Sequence, residues 1–215
     1  MKVLIAGAAG ITARRLVKQL VKNGHDVRGL VRKQQQFADL EKDGAEPVLV
    51  DLEADDANAV AEALSGCDAI VFAAGAGPGS GAERKETMDY GGAVTLIEAA
   101  KMSGVRRYVM LSAMHVDDLE NASETMRPYL SAKRRADERL RASDLDYTIV
   151  RPGSLTDEPG TGKVRTATRL DISGEIPRED VAATIATTLE MKNTYGKTFE
   201  LLSGDTPILQ ALQRL

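Results

Sequence analysis

Short apolar runs alternate with longer segments of helical spacing from the first residues of the chain onward. The clearest runs are residues 3–6, 48–50, 69–74, 108–111 and 148–150, and residues 27–31 form a sixth, interrupted by Arg28 and Gly29. Near-continuous apolar runs, unlike alternating ones, suit parallel strands buried on both faces. Between them, Ile11, Leu16, Leu20 and Val21 are expected to share one helical stripe. Val94, Ile97 and Ala100, with the aliphatic stem of Lys101, make another. Gly24, Gly44, Gly66 and Gly104 each follow a helical segment and precede a strand, where glycine closes a helix in the left-handed conformation. Four such junctions in order describe repeated β-α units. They predict a parallel sheet with right-handed crossovers and helices on both faces.

Two stretches break the rhythm. Residues 75–81 (GAGPGSG) are too rich in glycine and proline for helix or sheet. Residues 153–177 carry Gly153, Pro159, Gly160, Gly162, Gly174 and Pro177 with little periodicity. Both read as mobile loops, the second on the substrate side as a small C-terminal extension. No linker divides residues 1–215, so one domain is expected, and no repeat of fixed period is present.

Composition narrows the function. The 215 residues include 28 basic and 32 acidic ones, a net charge of −4, with 43% hydrophobic and 28% charged residues. These are ordinary globular values and exclude a disordered or fibrous chain. Mild acidity excludes nucleic acid as the main partner, which calls for a basic patch. One cysteine, Cys67, excludes a disulfide framework, and with two histidines it leaves little for zinc. No apolar run approaches the roughly 20 residues that span a bilayer. The first ten residues are too short and glycine-rich in their apolar core for a signal peptide, and Arg14 and Arg15 follow at once. A soluble, cytoplasmic protein is expected.

The sequence GAAGITA follows the first strand and opens the first helix, with Gly7, Gly10 and Ala13 at the fingerprint positions. The first glycine permits the sharp turn. The second lets the backbone approach a pyrophosphate, and the small third residue lets helix and strand pack closely. Unpaired N–H groups at the helix start complete an anion site. No Gly-Lys-Ser/Thr follows, so this is not a nucleotide-triphosphate loop. A turn with no ligand is the plainer alternative. The pattern predicts a Rossmann-like, doubly wound α/β fold. The second strand ends in Val31-Arg32-Lys33, with no acid between Val27 and Ala38. Arginine there suits a 2′-phosphate, whereas an acid would hold a ribose 2′-hydroxyl, so NADP is favoured over NAD. Asp51, ending the third strand, either reaches an adenine edge or caps the turn before Glu53.

Tyr129 and Lys133 stand four apart in YLSAK behind Pro128, which suits the first turn of a helix, so both side chains share a face. A free tyrosine titrates near 10, and bringing it to neutrality takes about 4 kcal/mol. A neighbouring ammonium favours the phenolate, the part expected of Lys133. Ser112 follows the strand at residues 108–111, at the carboxyl edge where open α/β sheets bind ligands, and its hydroxyl could donate to a substrate carbonyl oxygen.

Turn, serine and tyrosine–lysine pair together resemble the short-chain dehydrogenase/reductases. The likeness is greatest to their atypical, NmrA-like, epimerase/dehydratase-like branch. It extends over the whole chain through GAAGITA, VRKQQQ, VDL at 50–52, GVRRYVMLSA, YLSAK, VRPGSL and PREDVA. The resemblance implies Tyr129 as general acid/base, Lys133 assisting it and holding the nicotinamide ribose, and Ser112 orienting substrate. It places Gly7, Ala9, Gly10, Ile11, Thr12, Arg32, Lys33, Asp51, Leu52, Ala73, Ala74 and Gly75 around the dinucleotide, with Pro152 and Gly153 beside the nicotinamide. Departures are Ala13 at the third fingerprint position and Ala113 where many members have a second hydroxyl. The segment after the sixth strand is too short for a sugar-nucleotide domain.

The expected function is an NADP-dependent oxidoreductase acting on a small carbonyl or alcohol, with epimerase or dehydratase-like chemistry as a variant. A redox sensor without turnover is the alternative from another class, and a flavin or biliverdin-type reductase is a third, in which His115 gains importance. His115 otherwise reads as a solvent-facing residue, His25 as a turn residue and Cys67 as a small buried thiol. Asp117, Asp118, Glu120 and Glu124 read as a solvated acidic loop. Gly91 and Gly92 interrupt a helix and allow close approach of sheet or cofactor. The sequence leaves substrate identity and oligomeric state open.

Overall fold

The computed structural model describes residues 1–77 and 79–215. Pro78, within the loop expected at residues 75–81, lies outside the described residues. The predicted series of β-α units is present. It runs β1 (Lys2–Ala6), α1 (Ile11–Lys22), β2 (Asp26–Val31), α2 (Phe37–Lys42), β3 (Glu46–Leu49), α3 (Ala57–Ala63) and β4 (Ala69–Phe72). One turn of helix, α4 (Ala82–Arg84), passes into a π-helical segment at Lys85–Gly92 and on into α5 (Ala93–Ser103). Then come β5 (Arg107–Leu111), α6 (Arg127–Arg141) and β6 (Asp146–Pro152). The carboxyl-terminal part holds β7 (Ser154–Thr156), β8 (Lys163–Ala167), β9 (Glu175–Pro177), α7 (Arg178–Glu190), β10 (Lys197–Ser203), β11 (Thr206–Pro207) and α8 (Ile208–Gln213).

Nine strands form one sheet in the order β11-β8-β10-β6-β5-β4-β1-β2-β3. From β3 to β10 every neighbouring pair is parallel. The order reverses between β1 and β4, and such a switch point leaves a crevice at the carboxyl ends of the strands. This is a Rossmann-like α/β fold. Val3, Ile5, Val71, Val109 and Val150 point to the face covered by α1 and α7. Leu4, Ala6, Ile70, Phe72, Tyr108 and Ile149 point to the face covered by α3, α5 and α6. Burial on both faces is why these strands read as unbroken apolar runs.

Residues 153–177 correct the sequence reading. They are not a loop but carry three strands. β8 joins the main sheet antiparallel to β10, and β7 pairs with β9 in a separate two-stranded ribbon. The turns between them hang on one buried carboxylate: Asp180 accepts from the N–H groups of Thr161 and Gly162. Gly92 meets the close-approach expectation, since a Cβ there would lie 3.3 Å from the Leu52 side chain and 3.2 Å from Met88 Sδ. No helix among the described residues is long and apolar enough to cross a membrane.

Candidate active site

At the switch point, Gly7 turns the chain out of β1 with φ +75°, and a Cβ there would lie 2.6 Å from the Ala74 Cα. The Gly10 N–H donates to the Gly7 carbonyl at 2.9 Å, and α1 starts at Ile11 with no side-chain cap and no acid in its first turn. Its first N–H groups are thus left for an anion. A cavity of about 270 Å³ opens beside this turn. It brings together Gly7, Ala9, Gly10, Arg32, Asp51, Leu52, Ala73, Ala74 and Gly75. Lys33 is exposed and is not among the lining residues. Asp51 turns its carboxylate to the backbone, accepting from the Glu53 N–H at 3.0 Å, while the cap of α3 is Asp56. The glycine cradle, which a side chain would fill, and the uncapped helix fit a dinucleotide diphosphate.

The cleft continues as a larger cavity of about 990 Å³ that takes in Ile11, Thr12, Ser112, Tyr129 and Lys133. Pro128 stands in the first turn of α6, and Tyr129 and Lys133 share a face one turn apart. Lys133 is held by groups outside its own helix. Its Nζ lies 3.2 Å from Asp89 Oδ1 and donates to the Leu111 and Ala74 carbonyls at 3.2 and 3.4 Å. The two side chains of this ion pair are only 5% and 1% exposed. The other Asp89 oxygen accepts from the Ala76 N–H at 3.1 Å.

The pairing changes what Lys133 does for Tyr129. The ammonium lies 6.0 Å from the phenol ring centroid. Burial pushes the phenol above its ordinary titration range, and Asp89 and Asp137 push the same way, while Lys133 pulls it down. The net shift is upward, opposite to the sequence expectation, because burial outweighs the pull of Lys133 and the two carboxylates add to it.

Ser112 lines the cleft, but its hydroxyl is shielded from solvent and lies against Asp137 without a hydrogen-bond partner. Asp137, one turn beyond Lys133, pairs with Arg151 of β6 at 2.9 Å, side chains 0% and 4% exposed. Burial raises the Asp137 carboxyl above its usual range even with the guanidinium beside it. Arg151 also reaches Asp117 at 2.5 Å, tying the loop after β5 to the sheet.

A third cavity, about 470 Å³, lies beyond Tyr129 and shares Tyr129 and Met126 with the cleft. Pro152 and Gly153 line this cavity rather than the dinucleotide cleft. So does His115, which adopts φ +65° and lies 3.3 Å from the Ser173 hydroxyl. A left-handed non-glycine residue is strained, and strain of this kind concentrates at binding sites.

The model of a family described as NAD(P)H-binding matches residues 7–192. The chain belongs to this NAD(P)H-binding family. Relatives described as epimerase- or epimerase/dehydratase-like are among its matches. It is 46% identical to a Bacillus subtilis protein described as the uncharacterized sugar epimerase YhfK, over the full length of both chains. A solved Bacillus halodurans structure, described as a candidate NAD-dependent epimerase/dehydratase, is 42% identical and superposes with a TM-score of 0.95 over 100% of each chain. The oxidoreductase ylbE of Lactococcus lactis is 30% identical with a TM-score of 0.88, covering 100% of this chain and 96% of that one. Asp89 and Arg84 line the cleft, and Glu53 pairs with Arg84; none of the three was among the residues singled out in the sequence. Only Asp89 left a signal: a single acid among Met88, Tyr90, Gly91 and Gly92 in an otherwise small and apolar stretch.

Proposed function

We propose that the protein is an NADP-dependent oxidoreductase of the atypical short-chain type, acting on a small carbonyl or alcohol compound. The supporting observation is one continuous cleft, with Arg32 at its nucleotide end and Tyr129 and Lys133 at the other. Gly7, Gly10 and the start of α1 would hold the diphosphate, Arg32 the 2′-phosphate, and Lys133 the far ribose. A nicotinamide bound there supplies or accepts the hydride. Tyr129, on the wall common to cleft and substrate cavity, donates a proton to the substrate oxygen in the reducing direction and takes it back in the other. Burial keeps the phenol protonated at neutral pH, which suits it to act as an acid. Ser112, after a turn about χ1, gives a second hydrogen bond to the same oxygen. Asp89 keeps Lys133 in place.

The test is NADPH oxidation over a panel of aldehydes, ketones and quinones. Tyr129→Phe should lower turnover at least about 100-fold, the usual worth of general acid catalysis, with NADPH affinity within about twofold of the unsubstituted protein. Unchanged turnover would overturn the assignment of Tyr129. Tight NADPH binding with no oxidation of any panel member would favour a sensing protein over an enzyme.

A further inference from the structure

The nucleotide end of the cleft holds a charge cluster that chain order does not reveal. Arg32 comes from the end of β2, Glu53 from the turn after β3, and Arg84 and Thr87 from the segment after β4. Glu53 Oε2 lies 3.2 Å from Arg84 Nη2, 3.3 Å from Arg84 Nε and 3.8 Å from Arg32 Nη1. The other oxygen, Oε1, accepts from the Thr87 hydroxyl at 2.5 Å. Thr87 therefore fixes the carboxylate, and its second oxygen faces both guanidinium groups. Arg32 and Arg84 both line the cavity that the glycine turn opens into.

Within the cluster, two guanidinium groups face one carboxylate, which is shared between them; Asp51, the other acid on the cavity wall, turns one oxygen to the Glu53 N–H. A phosphate monoester carries close to two negative charges at neutral pH and offers three acceptor oxygens. It can engage both arginines in charge-assisted pairs, which a lone carboxylate matches only in part. The arginine side chains are 39% and 34% exposed, whereas Glu53 is 20% exposed and bonded to Thr87.

We propose that Arg84 is a second anchor for the 2′-phosphate of the dinucleotide, and that Glu53 holds Arg84 and Arg32 in readiness where that phosphate arrives. This rests on the NADP reading above. Glu53 then competes with the phosphate, so removing its charge strengthens binding of phosphate-bearing nucleotides alone.

Two probes that differ only by the phosphate in question, 2′,5′-ADP and 5′-AMP, separate the possibilities. Each is titrated calorimetrically into the protein and its variants, with NADPH and NADH as a second pair. The unsubstituted protein should prefer 2′,5′-ADP. Arg84→Gln should weaken 2′,5′-ADP about tenfold, the worth of one charge-assisted interaction, and leave 5′-AMP within about twofold. Arg84→Lys should recover part of the loss. Glu53→Gln, which keeps both arginines, should strengthen 2′,5′-ADP roughly threefold and not 5′-AMP. A preference for 2′,5′-ADP that survives Arg84→Gln overturns the role of Arg84 while leaving NADP specificity intact. Equal weakening of both probes also overturns it, as does weaker 2′,5′-ADP binding in Glu53→Gln for the competing role of Glu53. No preference in the unsubstituted protein would overturn the NADP reading itself.

Discussion

The two ends of the cleft use the same ingredients, arginine or lysine against aspartate or glutamate, in opposite surroundings. At the nucleotide end, Arg32, Glu53 and Arg84 keep contact with water. At the chemical end, Asp89–Lys133 and Asp137–Arg151 are almost wholly removed from it. The lesson is one of dielectric. A wet ion pair is weak and can exchange partners, which suits a site that receives a charged ligand. A dry pair is costly to break, because it leaves a buried charge uncompensated, and so it fixes geometry and the titration of its neighbours.

The largest effect expected from this contrast is on Asp137→Ala. It strands Arg151 in the interior with only the exposed Asp117 as partner, and should cost about 3 kcal/mol in denaturant unfolding. A loss under about 1 kcal/mol would show that water reaches the pair and that the contrast fails.

Asp89→Asn sharpens the contrast through pH. The Asp89 charge disfavours the Tyr129 phenolate, so its removal should lower the Tyr129 titration, seen as phenolate absorbance at lower pH. In the unsubstituted protein the phenol is raised by burial. Carbonyl reduction, which uses its protonated form, should therefore hold flat through neutrality and fall only above about pH 10. In Asp89→Asn that fall should move to lower pH. A limb that stays put or rises would show that the Asp89 charge does not set the Tyr129 titration.

The smallest effect belongs to the wet end. Glu53→Gln should change unfolding stability by less than about 0.5 kcal/mol, whatever it does to nucleotide selectivity. A larger loss would place that cluster with the buried pairs.

Much of the fold was legible because β1, β4, β5 and β6 are covered on both faces and leave nearly unbroken apolar runs. The far edge was not. In β8, exposed Lys163 and Arg165 flank buried Val164, and the strand pairs antiparallel to a segment more than thirty residues later. Glycines and prolines around it then read as loop. In β10, Glu200 interrupts Phe199, Leu201 and Leu202, yet the whole strand is sheet, because its buried carboxylate accepts from the Leu170 N–H at 2.5 Å. The site divides in the same way. Tyr129 and Lys133 announce themselves by one-turn spacing, and the glycine turn by its place after β1. Glu53 and Arg84 lie thirty-one residues apart and meet only in three dimensions. The left-handed backbone of His115 leaves only a faint signature, histidine being one of the residue types enriched there.

Asp89 touches both halves of the cleft at once, with one oxygen on the Lys133 ammonium and the other on the Ala76 amide of the adenosine-side loop. A nucleotide seated against that loop bears on the same carboxylate that steadies the lysine, 3.2 Å from its ammonium. One rigid group of three atoms thus joins the adenosine side of the cleft to the lysine beside Tyr129.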